Sequence, residues 1–241
     1  STAHALITGL HAYGYKVLAI DLDPQTNLTY TSGNFPDLPT LYDAFTGKAS
    51  IQDVVTKSSV GYDVTPGDVS FSSADMEFTA KNKTFILKGL LEPIKENYDY
   101  CIIDTPPTLG ILTINALSAS DKAIIPMNAD IYSAQGLSQL WSLMDSVRTY
   151  CNPDLITAGI LINRFNARSV INRQINDSIY DIAKTLNTHV FMSHIREAVA
   201  VKEVQYMQGS LFRDYPSAKV TSDYWHFIDE FLGKPVILNT I

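Results

Sequence analysis

Short unbroken apolar runs alternate along the chain with stretches whose apolar residues recur every three or four positions. Lys16 to Asp21, Cys101 to Ile103, Lys122 to Met127, Thr157 to Ile162 and His189 to Ser193 are runs of the first kind, expected for strands covered on both faces. Helical spacing appears in Ala3, Leu6, Leu10 and Tyr13, with Gly14 as the stop, and in Leu137, Leu140, Trp141, Met144 and Val147 within Ser133 to Arg148. Further helices are predicted over Leu109 to Leu117, up to Leu186, and from Ala218 to Leu232. Thr26 to Gly67 is punctuated by Gly33, Pro36, Pro39, Gly47, Gly61 and Pro66, leaving room for brief helices at Leu41 to Phe45 and Ile51 to Val55 and a short strand at Tyr62 to Thr65. Ser70 to Asn97 predicts a serine-rich helix start followed by a helix around Phe85 to Lys95. The whole pattern predicts an α/β fold, a mostly parallel twisted sheet with helices on both faces. The first helix runs straight into a buried strand and is half of a βαβ unit, whose other strand and loop would precede Ser1.

Bulk properties narrow the class. With 241 residues, 46% hydrophobic and 18% charged, one sizeable core and a single domain over residues 1–241 are expected. Eighteen basic against 25 acidic residues leave a net charge of −7, so nucleic acid or an acidic membrane would need a local patch. Cys101 and Cys151 lie far apart without a C-x-x-C, which argues against structural zinc and a disulfide framework and fits a reducing cytoplasm. No apolar run approaches the roughly 18 residues of a spanning helix, and the N-terminus lacks a signal layout. A soluble, cytoplasmic protein is expected.

Candidate chemistry sits where strands end on acids. Asp104 closes one buried strand and is followed by Thr105-Pro106-Pro107, which forces the chain out of the sheet. Asp21 and Asp23 flank Leu22 at the end of another, and Pro24 stops it. Carboxylates at the carboxyl ends of strands lie in the crevice where open α/β sheets bind ligands. Paired acids there can position Mg²⁺ and an attacking water, although Asp21-Leu22-Asp23-Pro24 standing alone also reads as an acid–proline turn.

These same residues carry a resemblance. Ile20-Asp21-Leu22-Asp23-Pro24-Gln25, the strand ending in Asp104-Thr105-Pro106-Pro107, and the run Leu109 to Leu137 together resemble the ParA family of partition ATPases, relatives of MinD and the nitrogenase iron protein. The similarity runs nearly end to end, and D-x-P-P-x-L-G-x-L-T-x-N-A-L matches the family's switch II. It implies a P-loop NTPase-like fold, ATP and Mg²⁺ as cofactors, Asp23 as the hydrolytic acid, Asp21 in the magnesium and water shell, and Asp104 holding the metal. It also implies that Ser1 and Thr2 follow the magnesium-binding hydroxyl of the phosphate loop, that Pro106 lies at the nucleotide, and that Asn163 faces the base. The side-chain amide of Asn163 can match adenine's donor and acceptor, and a turn-forming Asn is the alternative. The phosphate loop itself would precede Ser1. A polypeptide of these 241 residues alone is expected to bind ATP poorly, because the loop supplies the phosphate-binding N–H groups.

The expected function is ATP-dependent DNA partition: a homodimer on non-specific DNA, nucleoid-associated, stimulated by a ParB-like centromere-binding partner. Arg164, Arg168, Arg196, Lys202, Arg213 and Lys219 are the candidate DNA contacts. Where many relatives have I-P-R-x-x-R, this chain reads Ile195-Arg196-Glu197-Ala198-Val199-Ala200, so the family's arginines are not retained there. A non-hydrolysing adaptor with a ParA-like shell is the alternative. A MinD-like membrane role is disfavoured by Asp229 and Glu230 and by the lack of a basic amphipathic tail.

Overall fold

The computed structural model describes residues 2–78, 81–128, 130–166 and 170–234. In chain order the elements are α1 (Thr2–Ala12), β1 (Val17–Asp21), α2 (Asn27–Ser32), α3 (Leu41–Phe45), α4 (Ile51–Val54), β2 (Thr56–Lys57), β3 (Asp63–Thr65), α5 (Ala74–Glu77), α6 (Ile86–Leu91) and β4 (Tyr100–Asp104). They continue with α7 (Ile111–Ala119), β5 (Lys122–Asn128), α8 (Ile131–Tyr150), β6 (Ile156–Asn163), α9 (Val170–Thr185), α10 (Val199–Tyr206), α11 (Leu211–Asp214) and α12 (Lys219–Phe231). Short 3₁₀ turns occur at Val69–Ser73, Lys81–Phe85 and Lys95–Asn97. The helix expected around Phe85 to Lys95 is therefore broken into pieces. Pro93 explains the C-terminal break, since proline has no N–H to donate to the helical ladder.

β1 is the centre of the first sheet, whose order is β2-β3-β1-β4. β3 and β4 run parallel to β1, and β2 pairs antiparallel at the edge. All five residues of β1 are buried, and its side chains divide between two cores. Val17 and Ala19 face the core built with α1 and α12; Leu18 and Ile20 face the core built with α3, α4, α6 and α7. The absence of polar alternation in Val17-Leu18-Ala19-Ile20 has this cause. Each fully buried Leu or Ile contributes on the order of 1.5–3 kcal/mol.

Among the described residues the strands fall into two groups. β5 and β6 form a separate parallel pair over a third core lined by α8 and α9. Among the described residues β4 pairs only with β1 and β5 only with β6. The two strands line, from end to end, a cleft of about 1310 Å³, which is why β4 is only half-buried along its length while β1 is wholly covered. The strand expected at His189 to Ser193 is reduced to one parallel bridge, Ile160 to Val190, although Phe191 and Ile195 still donate backbone N–H groups to Ile160 and Ile162. Between Ala123 and Ile124 the β5–β6 register slips, and Gly159 takes φ 136°. A Cβ there would lie 2.9 Å from both the His189 and Phe191 rings, so the bulge requires glycine. Beyond it, Asn128 and Asn163 stand opposite each other at the strand ends.

Candidate functional site

The register of β1 on β4 sets Asp21 opposite Asp104. One residue later the Leu22 N–H still donates to the Asp104 carbonyl, at 2.9 Å, so the acid-bearing ends of the two strands stay together. Asp21 is fully buried. Its Oδ2 accepts from the Thr29 N–H at 2.8 Å and the Thr29 hydroxyl at 2.6 Å, and its Oδ1 accepts from the Asp23 N–H at 3.2 Å. Burial pushes this carboxyl up to about 6; the Thr29 bonds pull against the rise and the neighbouring Asp104 adds to it. Burial raises the Asp104 carboxyl too, and Asp23 contributes. Asp104 thus lies within electrostatic reach of both Asp21 and Asp23 at one edge of the sheet.

Their surroundings differ. Asp21, expected in the magnesium shell, has both oxygens engaged by protein donors. Asp23 is half-buried on a turn in which its Oδ1 accepts from the Gln25 N–H at 2.9 Å and its carbonyl from the Thr26 N–H at 2.8 Å. Asp104 lines the cleft together with Thr2, Pro106 and Asn163. Among the described residues no group of three or more His, Cys, Asp or Glu side chains is arranged to hold a metal ion. A magnesium ion at Asp104 would complete its shell with water, hydroxyl and phosphate oxygens, the donors that suit it.

Asn163 joins the ends of the molecule's two halves. Its Nδ2 donates to the Thr2 hydroxyl at 3.1 Å, while its Oδ1 is buried without a hydrogen-bond partner. A buried amide oxygen with no donor is rare in folded proteins and suits a ligand that brings an N–H, such as an adenine amino group. Ser1 lies outside the described residues.

The candidate DNA contacts scatter in kind. Arg196 is bidentate to Asp223, at 2.6 and 2.7 Å, and Arg213 to the adjacent Asp214, at 2.8 and 3.0 Å. Arg164, Lys202 and Lys219 are exposed, and Arg168 lies outside the described residues. The bridge between Phe165 and Arg196 brings the loop holding Arg164 beside the Arg196–Asp223 pair.

Several residues that organise the site escaped the sequence reading. Thr29 holds Asp21. Asp75 accepts from the Ile111 N–H at 2.7 Å and so caps α7. The Thr113 hydroxyl donates to the Thr108 carbonyl at 2.6 Å, tying down the loop after Asp104. Asn115 accepts from the Leu87 N–H and donates to the Lys83 and Ile111 carbonyls. The only sequence signal for the last two is their place in the D-x-P-P-x-L-G-x-L-T-x-N-A-L run.

A sequence profile of the family described as AAA domain matches residues 1–157. The sporulation initiation inhibitor protein Soj of Bacillus subtilis is 36% identical over 194 residues, 79% of this chain and 76% of its own length. The chromosome partitioning protein ParA of Caulobacter vibrioides is 33% identical over 219 residues, 88% of this chain and 79% of its own. Among solved structures, cobyrinic acid a,c-diamide synthase of Mycobacterium smegmatis, with a bound ATP analogue and magnesium, superposes with a TM-score of 0.83 at 25% identity, covering 96% of this chain and 87% of its own. One fold thus serves different chemistries. The chain belongs to the AAA-domain family and, within it, groups with the Soj and ParA partitioning proteins.

Proposed function

We propose that this protein is a magnesium-dependent ATPase of DNA partition. The observation that carries the reading is the convergence of Asp21, Asp23 and Asp104 at paired strand ends, beside a cleft that holds Thr2 and Asn163, in a member of the Soj and ParA family. The buried Asn163 Oδ1 supports an adenine contact. Asp104 would hold Mg²⁺ through water, and Pro106 would wall the same end of the cleft. Bound there, the metal neutralises charge developing on the phosphates. Asp23, on a turn rather than in the ladder, would orient the attacking water, and positioning of this kind supplies much of the acceleration.

The family resemblance implies a phosphate loop at the N-terminus of α1. The loop 105–110 lies between Asp104 and the capped start of α7, where a change at the γ-phosphate would be felt first. Two copies of the chain would hold nucleotide between them, sit on non-specific DNA through Arg164, Lys202 and Lys219, and separate after hydrolysis stimulated by a ParB-like centromere-binding partner.

Titration calorimetry of the full-length protein with ATP, with and without Mg²⁺, tests the metal assignment. The unaltered protein should bind ATP more tightly with Mg²⁺. Asp104→Asn should lose roughly 10-fold of that gain and keep its metal-free affinity. Equal Mg²⁺ dependence in both proteins would rule the assignment out.

A further inference from the structure

We propose that Thr29 is a positioning residue for hydrolysis, holding Asp21 as a tether that sets how Asp23 is presented to water. This rests on the ATPase reading above. The Thr29 hydroxyl donates to Asp21 Oδ2 at 2.6 Å, and the Thr29 backbone N–H donates to the same oxygen at 2.8 Å. The same hydroxyl oxygen accepts from the Gly67 N–H at 2.8 Å. The remaining Asp21 oxygen accepts from the Asp23 N–H at 3.2 Å. Four backbone segments therefore meet at one buried carboxylate: the end of β1, the turn at Asp23, the start of α2 and the loop after β3.

Two features give the node its stiffness. The Thr29 hydroxyl donates to one partner and accepts from another, which together fix the direction of its O–H. Gly67 closes the other side. A Cβ at that position would fall 2.8 Å from the Asp21 carbonyl oxygen and 3.1 Å from its Cγ, so the loop can approach only as glycine. Asp21 is consequently fixed in place by protein groups, and the carboxylate at Asp23 inherits its direction from that fixed backbone. Thr29 does not line the cleft, so its removal should disturb alignment more than binding.

The test compares steady-state Mg-ATP hydrolysis by the full-length protein and three variants. Thr29→Val keeps the shape and the N–H bond but removes the hydroxyl. Its kcat should fall roughly 10- to 100-fold with KM for ATP within about twofold, since misalignment near 1 Å costs about that much. Thr29→Ser, which restores the hydroxyl, should recover most of the rate. Gly67→Ala pushes on the same carboxylate from the opposite side and should reproduce the loss of kcat, which keeps the proposal testable if Thr29→Val folds poorly. Hydrolysis by Thr29→Val or a folded Gly67→Ala at the unaltered rate overturns the proposal, as does a parallel rise in KM that accounts for the whole defect. If the unaltered protein itself does not hydrolyse Mg-ATP, the ATPase reading fails and the proposal falls with it; normal hydrolysis with insensitive variants removes only the role of Thr29.

Discussion

Asp21 carries a carboxylate that the fold keeps from water, and its protonation is written into stability. Its folded pKa, about 6, lies above the ordinary carboxylate value of 3.8. The folded state therefore binds more protons than the unfolded chain between those values, and this residue's contribution weakens as pH rises through the window. Relative to Asp21→Asn, the unaltered protein should gain about 1 kcal/mol on going from pH 7 to pH 5. Urea denaturation at the two pH values measures the difference; no difference would mean the carboxylate is ionised at no cost in the fold, and one of opposite sign that the fold favours its charge. Asp21, Asp23 and Asp104 were legible in the sequence because each follows a buried run and precedes a proline. Thr29 was not, because its second partner, Gly67, lies 38 residues away and nothing local in either stretch names the other.

At the scale of elements, α7 begins where the loop after Asp104 ends. Asn115 is buried within it and satisfies the Leu87 N–H as well as the Lys83 and Ile111 carbonyls. Asn115→Ala should lower the unfolding free energy by about 2–3 kcal/mol, because a buried N–H loses its acceptor and a small cavity opens. Denaturant titration would show it as a shifted midpoint with an unchanged slope; a shift under about 0.5 kcal/mol would mean water replaces the amide. The long helices and buried strands were readable from periodicity, since Val17 to Ile20 and Ile160 to Ile162 are covered from both sides. α2 was not, because its six residues, Asn27–Ser32, span too few turns to display a stripe. The strand at His189 to Ser193 keeps the apolar composition of a strand but only part of its ladder, a tertiary outcome that composition does not encode.

For the whole molecule, β4 and β5 are not paired with each other among the described residues, and the half βαβ unit formed by α1 and β1 was the sequence sign of a further strand. Charge is arranged less generously than a count of arginines suggests. Asp223 and Asp214 occupy Arg196 and Arg213, leaving the exposed Arg164, Lys202 and Lys219 as the better candidates for phosphate contact. Exchanging Lys202 and Lys219 for Glu should weaken binding to DNA of any sequence and reduce the slope of log affinity against log salt by about 2. An unchanged slope in a fluorescence titration would place the DNA face elsewhere. Among the described residues no helix is long and apolar enough to cross a membrane. The most direct test of the central claim is hydrolysis of saturating Mg-ATP by the full-length protein and by Asp23→Ala. Turnover in the unaltered protein, lost in the variant while ATP affinity is retained, is the expected result; turnover that persists unchanged in Asp23→Ala would contradict the assignment of the strand-end acids to catalysis.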